Sequence, residues 1–178
     1  LVVLHLDAHT DTYRGDGNQD YMRYNVATTF TRAAEEGLID AKSSLHIGPR
    51  GPTMDNSVFE HTRDVGFQLI DGDDLFEIGL FKFADNLVEQ LKDRTVYLCF
   101  DMDFFDPSCA PGVCTPTWGG ATAREGLGFL RKLKGLNIVG ADINTVSPPH
   151  DVGGMTAFLA GAVALEILTL FCYAQNLV

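Results

Sequence analysis

Apolar and polar positions along this chain follow two rhythms. Short runs rich in aliphatic, β-branched and aromatic residues predict strands at Val2 to Leu6, Ser44 to Gly48, Phe67 to Ile70, Thr95 to Phe100 and Asn137 to Ala141. Between them, helical spacing predicts Thr28 to Glu36, a weaker segment near Asn56 to Asp64, Phe81 to Leu91, Thr122 to Leu133 and Met155 to Tyr173. Gly37 stands where a glycine ends a helix. Strands that alternate with helices of this length predict an α/β fold with a mainly parallel sheet. No repeat, low-complexity tract or linker divides the chain, so one domain is expected.

In such sheets ligands bind beyond the carboxyl ends of the strands. The residues at those ends are unusual here. Asp7, His9 and Asp11 follow the first strand at alternate positions, and an extended chain puts such side chains on one side. "DMDFFDPSCAPG" follows the strand at Thr95, with Asp101 and Asp103 repeating the alternate spacing. "DINTVSPPHD" follows the last strand. Buried carboxylates repel one another and need cations or protons. Four carboxylates and one histidine suit a divalent ion that prefers oxygen, with ligands enough for two ions. That set favours Mn²⁺ on hardness, with Ni²⁺ or Zn²⁺ ahead on affinity order. The plainer alternative is a set of polar loops, with Asp and Thr making turns and caps.

Composition narrows the partners. A net charge of −11 opposes binding to nucleic acid or an anionic membrane, and suits a cationic substrate or a bound metal. No apolar run is expected to span a bilayer, since Met155 to Tyr173 is interrupted by Gly161 and Glu166 and reads as a buried helix. No signal peptide is evident, and a chain that opens at Leu1 inside a strand run reads as a fragment or a processed piece. The four cysteines lack CxxC spacing. Cys99 and Cys172 are expected to be buried thiols in a reducing compartment, the cytoplasm or an organelle matrix.

"LDAHTD", "FDMDFFDPSCAPG" and "ADINTVSPPHD" together resemble the ureohydrolases, the family of arginase, agmatinase and guanidinobutyrase. "FTRAAEEGLID" and "LHIGPRGP" are similar to the agmatinase branch. The resemblance implies a three-layer αβα fold of which this chain, residues 1–178, is the C-terminal two-thirds of one domain. It implies a binuclear Mn²⁺ site that hydrolyses a guanidino compound to urea plus an amine. Asp7 and Asp101 would bridge the ions, Asp11 would complete one, and His9 with Asp103 the other. Asp103 would also meet the leaving amine. A small guanidino substrate and a homo-oligomer, trimer or hexamer, are the implied partners. The family's further histidine ligand, in a "GGDHS"-type motif, would lie before Leu1. His5 is expected to be a hydrogen-bonded strand histidine and not its substitute.

Other positions depart from the family pattern. Val26 stands where agmatinase-like members carry the histidine of "HGT", and Thr145 where the family places a guanidinium-facing glutamate. Thr145 and Trp118 are the substrate-binding candidates. His150 joins Asp103 as a catalytic candidate, since it could supply an imidazole near the site; a surface position is its alternative. Trp118 is expected either to line the pocket, favouring a short substrate, or to pack beneath its loop. Arg50 is a loop clamp or a solvated charge. Two alternatives to an active amidinohydrolase stand beside this reading. One is a metal-binding subunit that has lost turnover through Val26 and Thr145. The other is a one-Zn²⁺ deacetylase, which the Asp101 and Asp103 pair opposes.

Overall fold

The computed structural model describes residues 1–15, 20–175 and 177. Five parallel strands form one sheet in the order β3-β2-β1-β4-β5: β1 Val2–Leu6, β2 Leu45–Ile47, β3 Gln68–Ile70, β4 Thr95–Asp101 and β5 Asn137–Asn144. The helices are α1 Asp20–Arg23, α2 Thr29–Glu35, α3 Val58–Val65, α4 Gly72–Ile78, α5 Leu80–Leu91, α6 Ala123–Lys132 and α7 Met155–Ala174. The parallel α/β reading of the sequence holds.

Side chains on a strand alternate between faces. Leu4, Leu6, Ile47, Leu98, Phe100 and Ile138 share one face and form the main core with Leu87 and Leu91 of α5, Phe129 of α6 and Ile167 of α7. The other face sends Val3 and Cys99 into a smaller core with Phe30 of α2 and Phe67. Helices therefore cover both faces, which makes the three layers. On the second face the parallel register lines up His46, His5, Cys99 and Asp142 across four adjacent strands. This polar row leads into the strand ends where Asp7 and Asp101 lie.

Four elements differ from expectation. The short helix α1, Asp20–Arg23, forms where none was predicted, one turn being too short to show an apolar period. Helix α4 forms where none was predicted; Asp71 caps it by accepting from the Asp74 N–H at 2.9 Å, and its acidic first turn masks the apolar spacing. Strand β5 runs past Ala141 because pairing with β4 continues to Asp101 and Asn144. Asp142 and Asn144 are thus strand residues, not loop residues. Helix α7 is not the buried helix expected. Thr156, Val163, Ile167 and Leu170 are buried along one stripe, while Phe158, Leu165 and Leu168 are exposed. It lies over β5 at the sheet edge and is apolar all round. By length and composition it could cross a bilayer, so Gly161 and Glu166 do not break the run as expected. Glu166 instead pairs with Arg131 of α6 at 2.6 Å.

Arg50, just after β2, holds the loops at the carboxyl end of the sheet. Its guanidinium donates to the carbonyls of Asp103 and Thr117 at 2.8 Å, Gly48 at 3.1 Å, Trp118 at 3.2 Å and Phe105 at 3.3 Å. It is a loop clamp rather than a solvated charge. Gly48 makes room for the turn that brings it there: its φ is +98°, and a Cβ would meet the Phe104 ring at 2.8 Å. Hydrogen bonds from a charged donor contribute about 1.5–3 kcal/mol each, and a buried carbonyl left unpaired carries a penalty of its own. Arg50→Met keeps much of the stem but frees five carbonyls. Its expected cost is about 2–3 kcal/mol, which at roughly 2–4 °C per kcal/mol lowers Tm by about 4–12 °C in a thermal melt of the intact protein. An unchanged melt would contradict the clamp.

Candidate metal centre

Strands β1 and β4 are neighbours, so their carboxyl ends bring two acidic motifs together. Asp7 is buried just beyond β1. Its Oδ1 accepts from the His9 N–H at 2.6 Å and lies 3.1 Å from His9 Nδ1, while Oδ2 lies 2.8 Å from His5 Nε2. Asp103, also buried, accepts from the Ala8 N–H at 2.9 Å through Oδ1. Its Oδ2 accepts from Thr115 Oγ1 at 3.0 Å and lies 3.2 Å from His9 Nδ1. Asp101 Oδ1 accepts from the Asp103 N–H at 2.9 Å, a turn that folds the two carboxylates toward each other. Asp11 takes a left-handed backbone, φ +50°, which the alternate-spacing argument did not anticipate but which Asp tolerates better than most residues.

All five residues line one cavity of about 1000 Å³, with Tyr13, Val26, Phe30, Thr115, Asp142 and Thr145 among its walls. Donor atoms of Asp7, His9 and Asp103 lie within 4.8 Å of one another, and so do those of His5, Asp7 and Asp11. Asp7 belongs to both triads, the position a bridging carboxylate would need. Asp101 belongs to neither, although it shares the cavity.

The electrostatics are those of a site short of positive charge. Burial pushes the Asp101 carboxyl up to about 8, with Asp7 and Asp103 adding to the rise. Burial likewise raises Asp11 to about 6; His5 and His9 work against the rise while Asp7 and Asp103 reinforce it. Asp7 goes the other way: burial opposes its charge, but the neighbouring His5 and hydrogen bonds from His5 and His9 hold it well below the usual carboxylate range. For His9 burial is outweighed by hydrogen bonds to Asp103 and Asp7, which raise it to about 10. Protons on the histidines and on Asp101 thus supply the charge that the carboxylates require. Divalent cations would supply it better, because four carboxylates and a histidine match their preference for oxygen with limited nitrogen. The donor set fits such ions.

Thr145, at φ +70°, lies beside Asp101 and favours its charged form, although its buried Oγ1 meets no partner at hydrogen-bond geometry among the described residues. It lines the cavity, as expected of a substrate-side position. Two other candidates do not. The Trp118 side chain is 74% exposed and outside the cavity, while its backbone carbonyl accepts from Arg50. No aromatic wall narrows the cavity from Trp118, and nothing there restricts it to a short substrate. His150 sits on an exposed turn after Pro148, hydrogen-bonded to Ser147 Oγ at 2.7 Å, and also lies outside the cavity. Thr115 was not foreseen: a threonine in "CTPTW" carries no local sign that it will reach Asp103, 12 residues earlier. His46 was missed for a similar reason, since its contact with His5 spans 41 residues.

A sequence model of the arginase family matches residues 1–170. An agmatinase of Photorhabdus laumondii is 39% identical over 170 residues, covering 96% of this chain and 51% of its own length. A guanidinopropionase of Pseudomonas aeruginosa is 37% identical, covering 96% of this chain and 53% of its own. The solved structure of proclavaminate amidino hydrolase from Streptomyces clavuligerus superposes with a TM-score of 0.88 at 38% identity, over 98% of this chain and 57% of that one. The chain spans about half the length of the curated relatives it matches.

Cations must displace the protons on Asp101 and His9, which sit near 8 and 10. Deprotonated ligands prevail as pH rises, so Mn²⁺ affinity is expected to increase from pH 6 to pH 8. At pH 7 binding is expected to release more than one proton per chain, read by calorimetry in buffers of different ionisation enthalpy. Binding with no proton release would contradict these assignments.

Proposed function

The chain belongs to the arginase family, and on that premise we propose that its acidic cluster serves an amidinohydrolase that cleaves a small guanidino compound to urea and an amine. One observation carries the reading: Asp7, His9, Asp11, Asp101 and Asp103 line a single cavity at the carboxyl ends of β1 and β4. Two divalent ions, Mn²⁺ first and Ni²⁺ second, suit this donor set. When bound they would supply Lewis acidity and bring the pKa of a water molecule toward neutrality.

The chain's own side chains do the rest. Asp103 is held from three sides by Ala8, Thr115 and His9, so its carboxylate stays fixed where it can meet the departing amine. Thr145 offers the cavity a neutral hydroxyl, a contact roughly half as strong as one from a carboxylate. Guanidine, guanidinobutyrate, guanidinopropionate and agmatine form the candidate substrates. Relatives named agmatinase and guanidinopropionase keep both amine-ended and acid-ended chains in range. The four free cysteines support a reducing compartment, cytoplasm or organelle matrix.

A second reading is favoured by two positions. Val26, 83% exposed, lines the cavity with a side chain that moves no protons, and Thr145 brings no charge to it. They support a subunit that holds metal without turnover. Urea release separates the two. The intact protein, loaded with Mn²⁺, is expected to release urea from at least one of the four candidates and to prefer it to arginine by kcat/KM. Two bound ions with no urea from any substrate would favour the second reading.

A further inference from the structure

Behind the acidic cluster lies a pair of buried histidines, His5 and His46, outside the set of four carboxylates and His9 assigned to the ions, although His5 comes within ligand reach of Asp7 and Asp11. His5 Nε2 lies 2.8 Å from Asp7 Oδ2, and His5 Nδ1 lies 2.8 Å from His46 Nδ1 on the neighbouring strand. Both rings are essentially inaccessible, at 1% and 0% exposed. They are boxed by aromatic rings: Phe30 stands 4.5 Å from His5 and 5.2 Å from His46 between centroids, and Phe67 stands 4.4 Å from His46. His46 Nε2 is buried and finds no partner among the described residues. Polar groups placed so deep are costly unless their contacts are used.

We propose that His5 and His46 are positioning residues that fix the Asp7 carboxylate from behind, so that it presents its free lone pairs to both ions. The proposal rests on the metal reading above. The proton arithmetic follows from the distances. An ionised carboxylate only accepts, so His5 Nε2 must carry hydrogen. A contact of 2.8 Å between two ring nitrogens requires one proton between them. His46 therefore either donates to a neutral His5 or accepts from a charged one. In both states His5 keeps its Nε2 hydrogen aimed at Asp7. The tautomer that would turn a lone pair on Asp7 is excluded, and the ring is held against rotation. In-register pairing of His5 with His46 on β1 and β2 makes the link rigid, since both Cα atoms are fixed by the sheet.

His5 also stands within reach of Asp7 and Asp11 as a direct ligand. The two roles differ in what they predict. A ligand takes an ion with it when removed; a positioning residue lowers affinity while the number of ions stays at two. Glutamine separates them further, because its amide N–H can replace His5 Nε2–H toward Asp7.

The test is Mn²⁺ titration of the metal-free intact protein by calorimetry, with stoichiometry checked by elemental analysis and folding by circular dichroism. His5→Ala is expected to weaken binding about 10–100-fold while keeping two sites, the range usual for partners behind a metal ligand. His5→Gln is expected to recover most of that loss. His46→Phe fills the aromatic box without a hydrogen bond and should weaken binding about tenfold; His46→Asn, which can still donate to His5, should lie close to wild type. Should His5→Ala fail to fold, the His46 pair decides the matter alone. Loss of one ion in the folded His5→Ala protein would make His5 a ligand and overturn the proposal. So would wild-type affinity in His5→Ala, or equal affinity in the two His46 variants. A wild-type protein that binds no Mn²⁺ would overturn the metal reading itself and this role with it.

Discussion

Everything at the carboxyl end of this sheet answers to one constraint: four carboxylates are packed around one cavity and cannot all be charged unaided. Asp7 and Asp103 are almost wholly buried, and Asp101 and Asp11 are forced toward their protonated forms by that burial. A protein accepts such a cost where the charge is used. Neighbouring structure is arranged around it. Backbone N–H groups of Ala8, His9 and Asp103 each point at a carboxylate, and His5, His9 and Thr115 add side-chain donors.

The scaffold explains why that arrangement is stable. Parallel strands place the ends of β1 and β4 side by side, and a large apolar core on one face anchors both. Across the loops, Arg50 ties backbone from three segments into a single unit. Its five carbonyl contacts set the spacing between the loop after β2 and the one carrying Asp103. The same clamp holds the carbonyl of Trp118, whose side chain is exposed outside the cavity.

The legible part of the site was the part encoded locally. Alternate acidic residues after apolar runs marked Asp7, His9, Asp11, Asp101 and Asp103, because a strand's end and its following loop are contiguous in sequence. Most strand and helix positions were legible for the same reason; the exceptions are the one-turn α1, the far end of β5, which only pairing with β4 extends, and α4, whose acidic first turn hid its spacing. Contacts across the sheet were not legible. Nothing near His46 says that its ring will meet His5, and nothing in "CTPTW" says that Thr115 will reach Asp103 while Trp118 turns away. Helix α7 shows a further limit: an unbroken apolar segment gives no sign of which side is buried, and here one stripe is covered while Phe158, Leu165 and Leu168 face out.

A carboxylate cluster of this kind calls for two ions with Asp7 shared between them, which is the reading proposed for this site. Anomalous diffraction from crystals of the Mn²⁺-loaded protein, measured at the manganese edge, tests it most directly. Two peaks about 3.5–4 Å apart in the cavity, with the Asp7 carboxylate between them, are expected. A single peak, or two peaks that leave Asp7 bonded only to His5 and His9, would contradict it.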